Sequence, residues 1–252
     1  MGLSSNSVIH FTNTLPRLKG ILNSGFTIKY CRETYYSKTQ CRDLLVPIVS
    51  FCDTPFTELN NHIKSYGSYG IGLSKEWAIR NGLNPVLYLD KDSTLSENIL
   101  KHLYEKIKGT ATSIRQLTET DKQAFDVLRY IKNYQGDLIR SGKKTIENYR
   151  FSDEREWRYA LHSSSKNLLL GTIKKGSTPE QVKEAKNRVN KAIGTEKLRF
   201  KPTDISYIII KNENQRDEVI RTIELANGEE GHNSVKRLTS RIISVEQLLT
   251  DF

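Results

Sequence analysis

Three groups of residues have the types and spacing for chemistry. They are a histidine inside an early apolar run (His10 in VIHFT), a glycine-rich aromatic segment (YGSYGIGLS, 66–74), and two carboxylates among arginines in EREWRYAL (154–161). Groups of these kinds can surround a nucleotide. A carboxylate facing a ribose, the role open to Glu156, binds a hydroxyl and stabilises oxocarbenium character at the anomeric carbon. A histidine can orient the other ribose, and a tyrosine face can stack on a planar leaving ring.

Other chemistries lack their signatures. There is no GxSxG elbow and no cysteine with an evident base. GIGLSK lacks the spacing of a phosphate loop, and YGSYGIG is not GxGxxG. With no HExxH, EF-hand or zinc-finger spacing, no metal is expected. A metal-free nuclease would need His10, His62 or His162 as acid and base. The same residues also have purely structural readings. His10 can pair with backbone, Glu154 and Glu156 with Arg155 and Arg158 can form a surface ion-pair ladder worth under about 1 kcal/mol per pair, and YGSYGIG can be an eased turn.

These residues must be held by regular elements. VIHFT alternates as a strand, with Val8, His10 and Thr12 on one face and Ile9 and Phe11 on the other. Asn13 or Thr14 can cap a following helix, with Pro16 in its first turn, Leu15, Leu18, Ile21 and Leu22 as its buried stripe, and Gly25 as its stop. CRETYYSKTQCRD reads as a surface loop leading into an apolar strand, Leu44 to Phe51. KEWAIRNG reads as a short helix and PVLYLD as a strand. A 3.6-residue period through Ile99, Leu103, Ile107, Phe125, Leu128, Ile131 and Leu138 predicts a helical insertion over about 96–142. EREWRYAL alternates, so Glu154, Glu156, Arg158 and Ala160 share a face. Residues 178–197 and ENQRDEVIRTIELANG, closed by Gly228, read as helices; ISYIIIK reads as a strand, and the chain ends in a strand and a short helix. The expected architecture is one α+β domain over 1–252.

The formal charge of +10, densest from Lys183 to Lys201, suits an anionic partner such as nucleic acid or a nucleotide. Cys31, Cys41 and Cys52 have no metal or disulfide spacing, which suggests reduced thiols in a cytoplasm. No apolar run approaches membrane-span length, so no membrane partner is expected.

HFTNTLPRLKGILNSGF, VPIVSFCDTPFTELNNHIKSYGSYGIGLSKEWAIRNGLNPVLYL, FSDEREWRYAL, DISYIIIKNENQ and SRIISVEQLLTDF together resemble the bacterial abortive-infection AbiGi family across nearly the whole chain. That family is associated with phage resistance and labelled the antitoxin side of a two-component system. More distantly, HFTNTLPRLKGILNSGF resembles the first motif of the DarT group of ADP-ribosyltransferases, and VPIVSFCDTPF the segment after it. YGSYGIGLSKEWA resembles the NAD-binding motif of poly(ADP-ribose) polymerases.

This second likeness implies an ADP-ribosyltransferase-like split β-sheet core with NAD as substrate. It places His10 as the NAD-binding histidine, with Phe11, Thr12, Ser50, Phe51 and Ser74 beside the cofactor. Tyr69 would stack, and Glu156 would be the catalytic glutamate. Glu154-Arg155-Glu156 also resembles the ExE form of the Arg-Ser-Glu branch, which puts Glu154 and Arg158 on the acceptor side. The implied outcomes are ADP-ribosylation of a nucleic acid or protein during phage defence, or a non-catalytic antitoxin or phage-sensing protein that binds a cognate toxin or phage component.

Overall fold

The computed structural model describes residues 5–104, 118–138, 144–161, 171–173, 176–193, 195–227 and 232–251. The chain mixes helices with sheet and divides into two compact units. The first comprises Met1–Thr27, Ser50–Asn84 and Glu196–Phe252, the second Ile28–Val49 and Pro85–Thr195.

In the first unit the opening strand Ser7–Thr12 lies antiparallel to the glycine strand Tyr69–Ser74, in register from Ser7 opposite Ser74 to Thr12 opposite Tyr69. The strand Ile205–Ile210 covers the other edge of the glycine strand and pairs in parallel with Ile242–Ser244. Its run of β-branched residues is buried at Ile208, Ile209 and Ile210, as an interior strand requires.

The helix Leu15–Ser24 forms as its signals dictate. Thr14 is extended at the N-cap, Pro16 sits in the first turn, and Gly25 ends it at φ +81°. A Cβ on Gly25 would come within 2.7 Å of the Leu198 carbonyl oxygen, so the stop also serves packing. Gly72 is required for a similar reason, because the Tyr207 ring lies where its Cβ would be. The close approach that Gly72 permits is therefore made by the protein's own aromatic ring.

The helices Arg216–Asn227 and Val245–Asp251 appear where the pattern put them, while Gly228 lies outside the described residues. The helix His232–Thr239 was not anticipated, because only Val235 and Leu238 mark its buried side.

In the second unit two readings are corrected. CRETYYSKTQCRD is not a loop: Lys29–Tyr36 pairs with Cys41–Cys52 from Lys29 opposite Ile48 to Tyr36 opposite Cys41. Its polar residues deceive because they satisfy one another across the hairpin. Arg32 donates to Asp43 at 2.7 and 3.1 Å and Thr34 donates to Asp43 at 2.5 Å, while Tyr30 and Tyr35 fill the interior.

The helical period over 96–142 holds in Thr94–Asn98 and Glu119–Arg129, but Ile131–Asn133 and Gln135–Leu138 are strands. Partners distant in sequence override the local period. Ile131–Asn133 pairs in parallel with Leu87–Leu89, and Leu138 pairs with Ile146. Ile107 lies outside the described residues. The helix Pro179–Ile193 fits the expectation for 178–197, and Tyr30 N–H donates to Asn190 at its C-terminal end. The strand Glu156–Ala160 lies beside Cys41–Cys52, and Leu161 N–H donates to the Pro47 carbonyl.

Candidate functional site

EREWRYAL builds its site through one unusual residue. A short 3-10 turn, Phe151–Glu154, ends at Arg155, which adopts the left-handed conformation at φ +44°. For a residue with a Cβ this costs about 1 kcal/mol. The strand then begins, and alternation sends Glu156, Arg158 and Ala160 inward. Glu154, Glu156 and Arg158 are 2%, 4% and 0% exposed, so these residues form a buried ionic cluster and not the surface ladder that is one reading of their sequence.

Lys132 Nζ donates to Glu154 Oε2 at 2.9 Å and to Glu156 Oε2 at 2.6 Å. Arg158 donates from Nε to Glu156 Oε1 at 2.5 Å and from Nη2 to Glu33 Oε2 at 2.8 Å. Its Nη1 donates to the Arg129 and Ile131 carbonyls at 3.0 and 3.2 Å. Glu156 N–H donates to the Tyr88 hydroxyl at 2.8 Å, and Lys132 sits 5.0 Å from the centre of the Phe151 ring.

The cluster divides the carboxyl groups by protonation state. Burial, then repulsion from Glu156 and Glu33, pushes the Glu154 carboxyl up to about 9. Burial also acts upward on Glu156, but the charges of Arg158 and Lys132 outweigh it and hold that group well below the usual carboxylate range. Burial opposes the charge on Arg158, and Glu156 and Glu33 overcome it. At neutral pH Glu154 is thus a carboxylic acid and Glu156 an anion with both oxygens engaged.

The histidine site belongs to the first unit. His10 Nδ1 lies 2.9 Å from the Ser50 carbonyl oxygen, which can only accept, so Nδ1 carries the proton and Nε2 presents a lone pair. Burial depresses the imidazole below its ordinary value against the opposing pull of that carbonyl, leaving the ring neutral at pH 7. Phe26 and Phe51 stand edge-on to it at 5.0 and 5.7 Å, and Trp77 and Phe200 extend the aromatic group.

The register places Thr12 and Tyr69 on the same face as His10. Tyr69 is buried, and its hydroxyl accepts from Gln215 Nε2 at 3.0 Å. Phe11 faces the other way, stacked on His62 at 6.0 Å. Ser74 also lies on that opposite face, where its Oγ accepts from Trp77 N–H and caps the helix Lys75–Arg80.

His10, Ser50 and Phe51 are therefore brought together, and so are Glu154, Glu156 and Arg158. His10 lies in the first unit and Glu156 in the second. Lys132 and Glu33 escaped the sequence reading because each sits in a segment whose strand character was missed. Phe26 and Phe200 carried no signal beyond being aromatic. His162 lies outside the described residues. Among the described residues no three His, Cys, Asp or Glu side chains gather as a metal site, and no helix is long and apolar enough to cross a membrane.

Fold and sites define a mixed α/β protein with a buried ionic cluster and a neutral histidine packed among aromatic rings. Residues 24–211 match the family model described as "Putative abortive phage resistance protein AbiGi, antitoxin". "Abortive phage resistance protein AbiGi" of Lactococcus lactis subsp. cremoris is 26% identical over 206 residues, covering 74% of this chain and 80% of that protein. The chain belongs to the AbiGi family of abortive phage resistance proteins. No solved structure matches it. The family match includes Ser50, Phe51, Tyr69, Ser74, Glu154, Glu156 and Arg158 but begins after His10, Phe11 and Thr12.

Proposed function

We propose that this protein acts in phage defence by binding: it restrains a partner toxin, as the antitoxin description of its family model suggests, and the charged face of EREWRYAL serves to hold its fold. One observation carries the reading. Glu156, the carboxylate best suited to catalysis, is 4% exposed and has both oxygens committed to Lys132 and Arg158. A carboxylate this buried, with a cation on each oxygen, is poorly placed to reach a substrate. Glu154 likewise suits structure better than acceptor activation, because a group that keeps its proton to about pH 9 is not a base at neutral pH.

The test is expression of the chain alone and together with the product of the adjacent gene. The expected result is no growth defect from the chain alone, relief of the partner's toxicity on co-expression, co-purification of the two, and unchanged relief by His10→Ala. Toxicity of the chain alone that disappears in His10→Ala would overturn it.

A second reading keeps NAD chemistry on an ADP-ribosyltransferase-like split sheet, with Glu156 cleaving the nicotinamide–ribose bond and ADP-ribose passing to a nucleic acid or protein. The observation in its favour is the neutral His10, whose Nε2 can accept from a ribose hydroxyl beside Phe51. Incubation with labelled NAD and infected-cell lysate decides it: transfer by the wild type and loss in Glu156→Gln supports the enzyme, and equal labelling by both removes Glu156 from the reaction.

A further inference from the structure

The chain's charge is not shared evenly between its two units. The second holds 25 of the 39 lysines and arginines but 16 of the 29 acidic residues, a net +9 of the chain's +10. Several of its cations are already engaged: Arg129 and Arg158 are buried, and Arg32 is paired with Asp43. The helix Pro179–Ile193 presents a different arrangement.

Its inner face is fixed by packing. Val182 is buried, Ala185, Val189 and Ile193 pack with Tyr30 and Leu45, and Asn190 accepts from Tyr30 N–H at 2.9 Å. The helical period then turns Lys183, Asn187, Arg188 and Lys191 to solvent, and all four are exposed. The Asn190 contact sets a further exposed cation, Lys29, at the C-terminal half of the same helix. Lys186 is half-buried and acts inward on Cys31. The helix's two acids, Glu180 and Glu184, lie in its first half, where Glu180 is engaged with Thr178. Lys29, Arg188 and Lys191 have no ion-pair partner among the described residues.

Helix polarity accounts for a cation in the last turn, but Lys183 and Arg188 stand before it. The large apolar side chains exposed among the described residues lie on other elements, so this face lacks the apolar centre of a protein interface, from which lysine is depleted. The helix carries no aromatic ring on which unpaired bases could stack. A groove that admits an α-helix belongs to duplex DNA, whereas the corresponding groove of duplex RNA is deep and narrow.

We infer that the outer face of this helix binds duplex DNA, with Lys29, Lys183, Arg188 and Lys191 contacting phosphates. The stripe from Lys183 to Lys191 runs about 12 Å along the helix, with Asn187 between as a neutral donor. Contacts of this kind position the protein without reading sequence. Each one releases counterions, so binding weakens steeply as salt rises.

Fluorescence anisotropy tests this with the full chain and a labelled duplex of about 20 base pairs, titrated from about 50 to 200 mM salt. Wild type should bind at the low end and lose about a hundredfold in affinity across that range, as four phosphate contacts require. Arg188→Glu combined with Lys191→Glu should weaken binding at least about tenfold at low salt and reduce the slope of log affinity against log salt by about 2. Lys236→Glu combined with Arg237→Glu makes the same charge change at two exposed positions of the first unit and should leave affinity and slope unchanged. All four positions are exposed, so circular dichroism should show both double variants folded. No binding by wild type at low salt, equal losses in the two double variants, or tighter binding of a single strand or of duplex RNA would sink the inference. Loss of a co-purifying protein from the Arg188 and Lys191 variant, with no DNA bound by wild type, would assign the face to a protein instead. The proposal does not depend on the antitoxin reading, which co-expression tests separately.

Discussion

His10 and the Glu156 cluster pose one problem in two forms: a titratable side chain on a strand face turned toward the protein. The first unit solves it by discharge. An imidazole needs only a small downward shift to be neutral at pH 7, after which a carbonyl and aromatic edges satisfy it. The second unit cannot do the same for every group. Lys132 and Arg158 hold Glu156 as an anion, while burial and the neighbouring carboxylates raise Glu154 to about 9. Altering the imidazole of the first site leaves no charge uncompensated, whereas a charged network loses much when any member is removed, because the remaining members are left buried and uncompensated.

Arg158→Met gives the largest expected effect. It leaves Glu156 and Glu33 without their shared cation and should cost about 3–5 kcal/mol in denaturant unfolding. A cost under about 1 kcal/mol would mean that the cluster is solvated after all. Phe51→Ala removes the ring standing between His10, Phe26 and Trp77, with about 3–4 kcal/mol expected from the lost burial and the cavity.

The pH responses should oppose each other. Folded His10 has a depressed pKa, so its contribution is full above 6.5 and is lost as pH falls, whereas that of Glu154 is lost as pH rises. His10→Gln should therefore flatten the acid side of the stability profile and leave the alkaline side unchanged. Gly72→Ala should cost about 1–3 kcal/mol by forcing Tyr207 aside, measured as a fall in melting temperature. Arg155→Gly should have the smallest effect, a gain of about 0.5 kcal/mol, as relief of the left-handed conformation slightly exceeds the entropy that glycine adds to the unfolded chain.

Local chemistry made part of this legible beforehand. Thr14, Pro16 and Gly25 encode the first helix with signals confined to a dozen residues, and the β-branched run at 205–210 could hardly be anything but a buried strand. Alternation also placed Glu156, Arg158 and Ala160 on one face. The hairpin at 29–52 was hidden because its polar side chains satisfy each other across the turn. The strand at Lys132 was hidden because its pairing partner is more than forty residues earlier.

By itself, then, the sequence determined the strands around His10, Val46, Glu156 and Ile208, the first helix, and which side chains point the same way, since these follow from backbone period and capping. Only the tertiary structure decided that the glutamate face is dry, that Lys132 and Glu33 complete it, and that Glu154 keeps its proton. Burial and charge balance depend on partners brought together from Glu33, Lys132 and Arg158, and no local period encodes which distant charge will arrive.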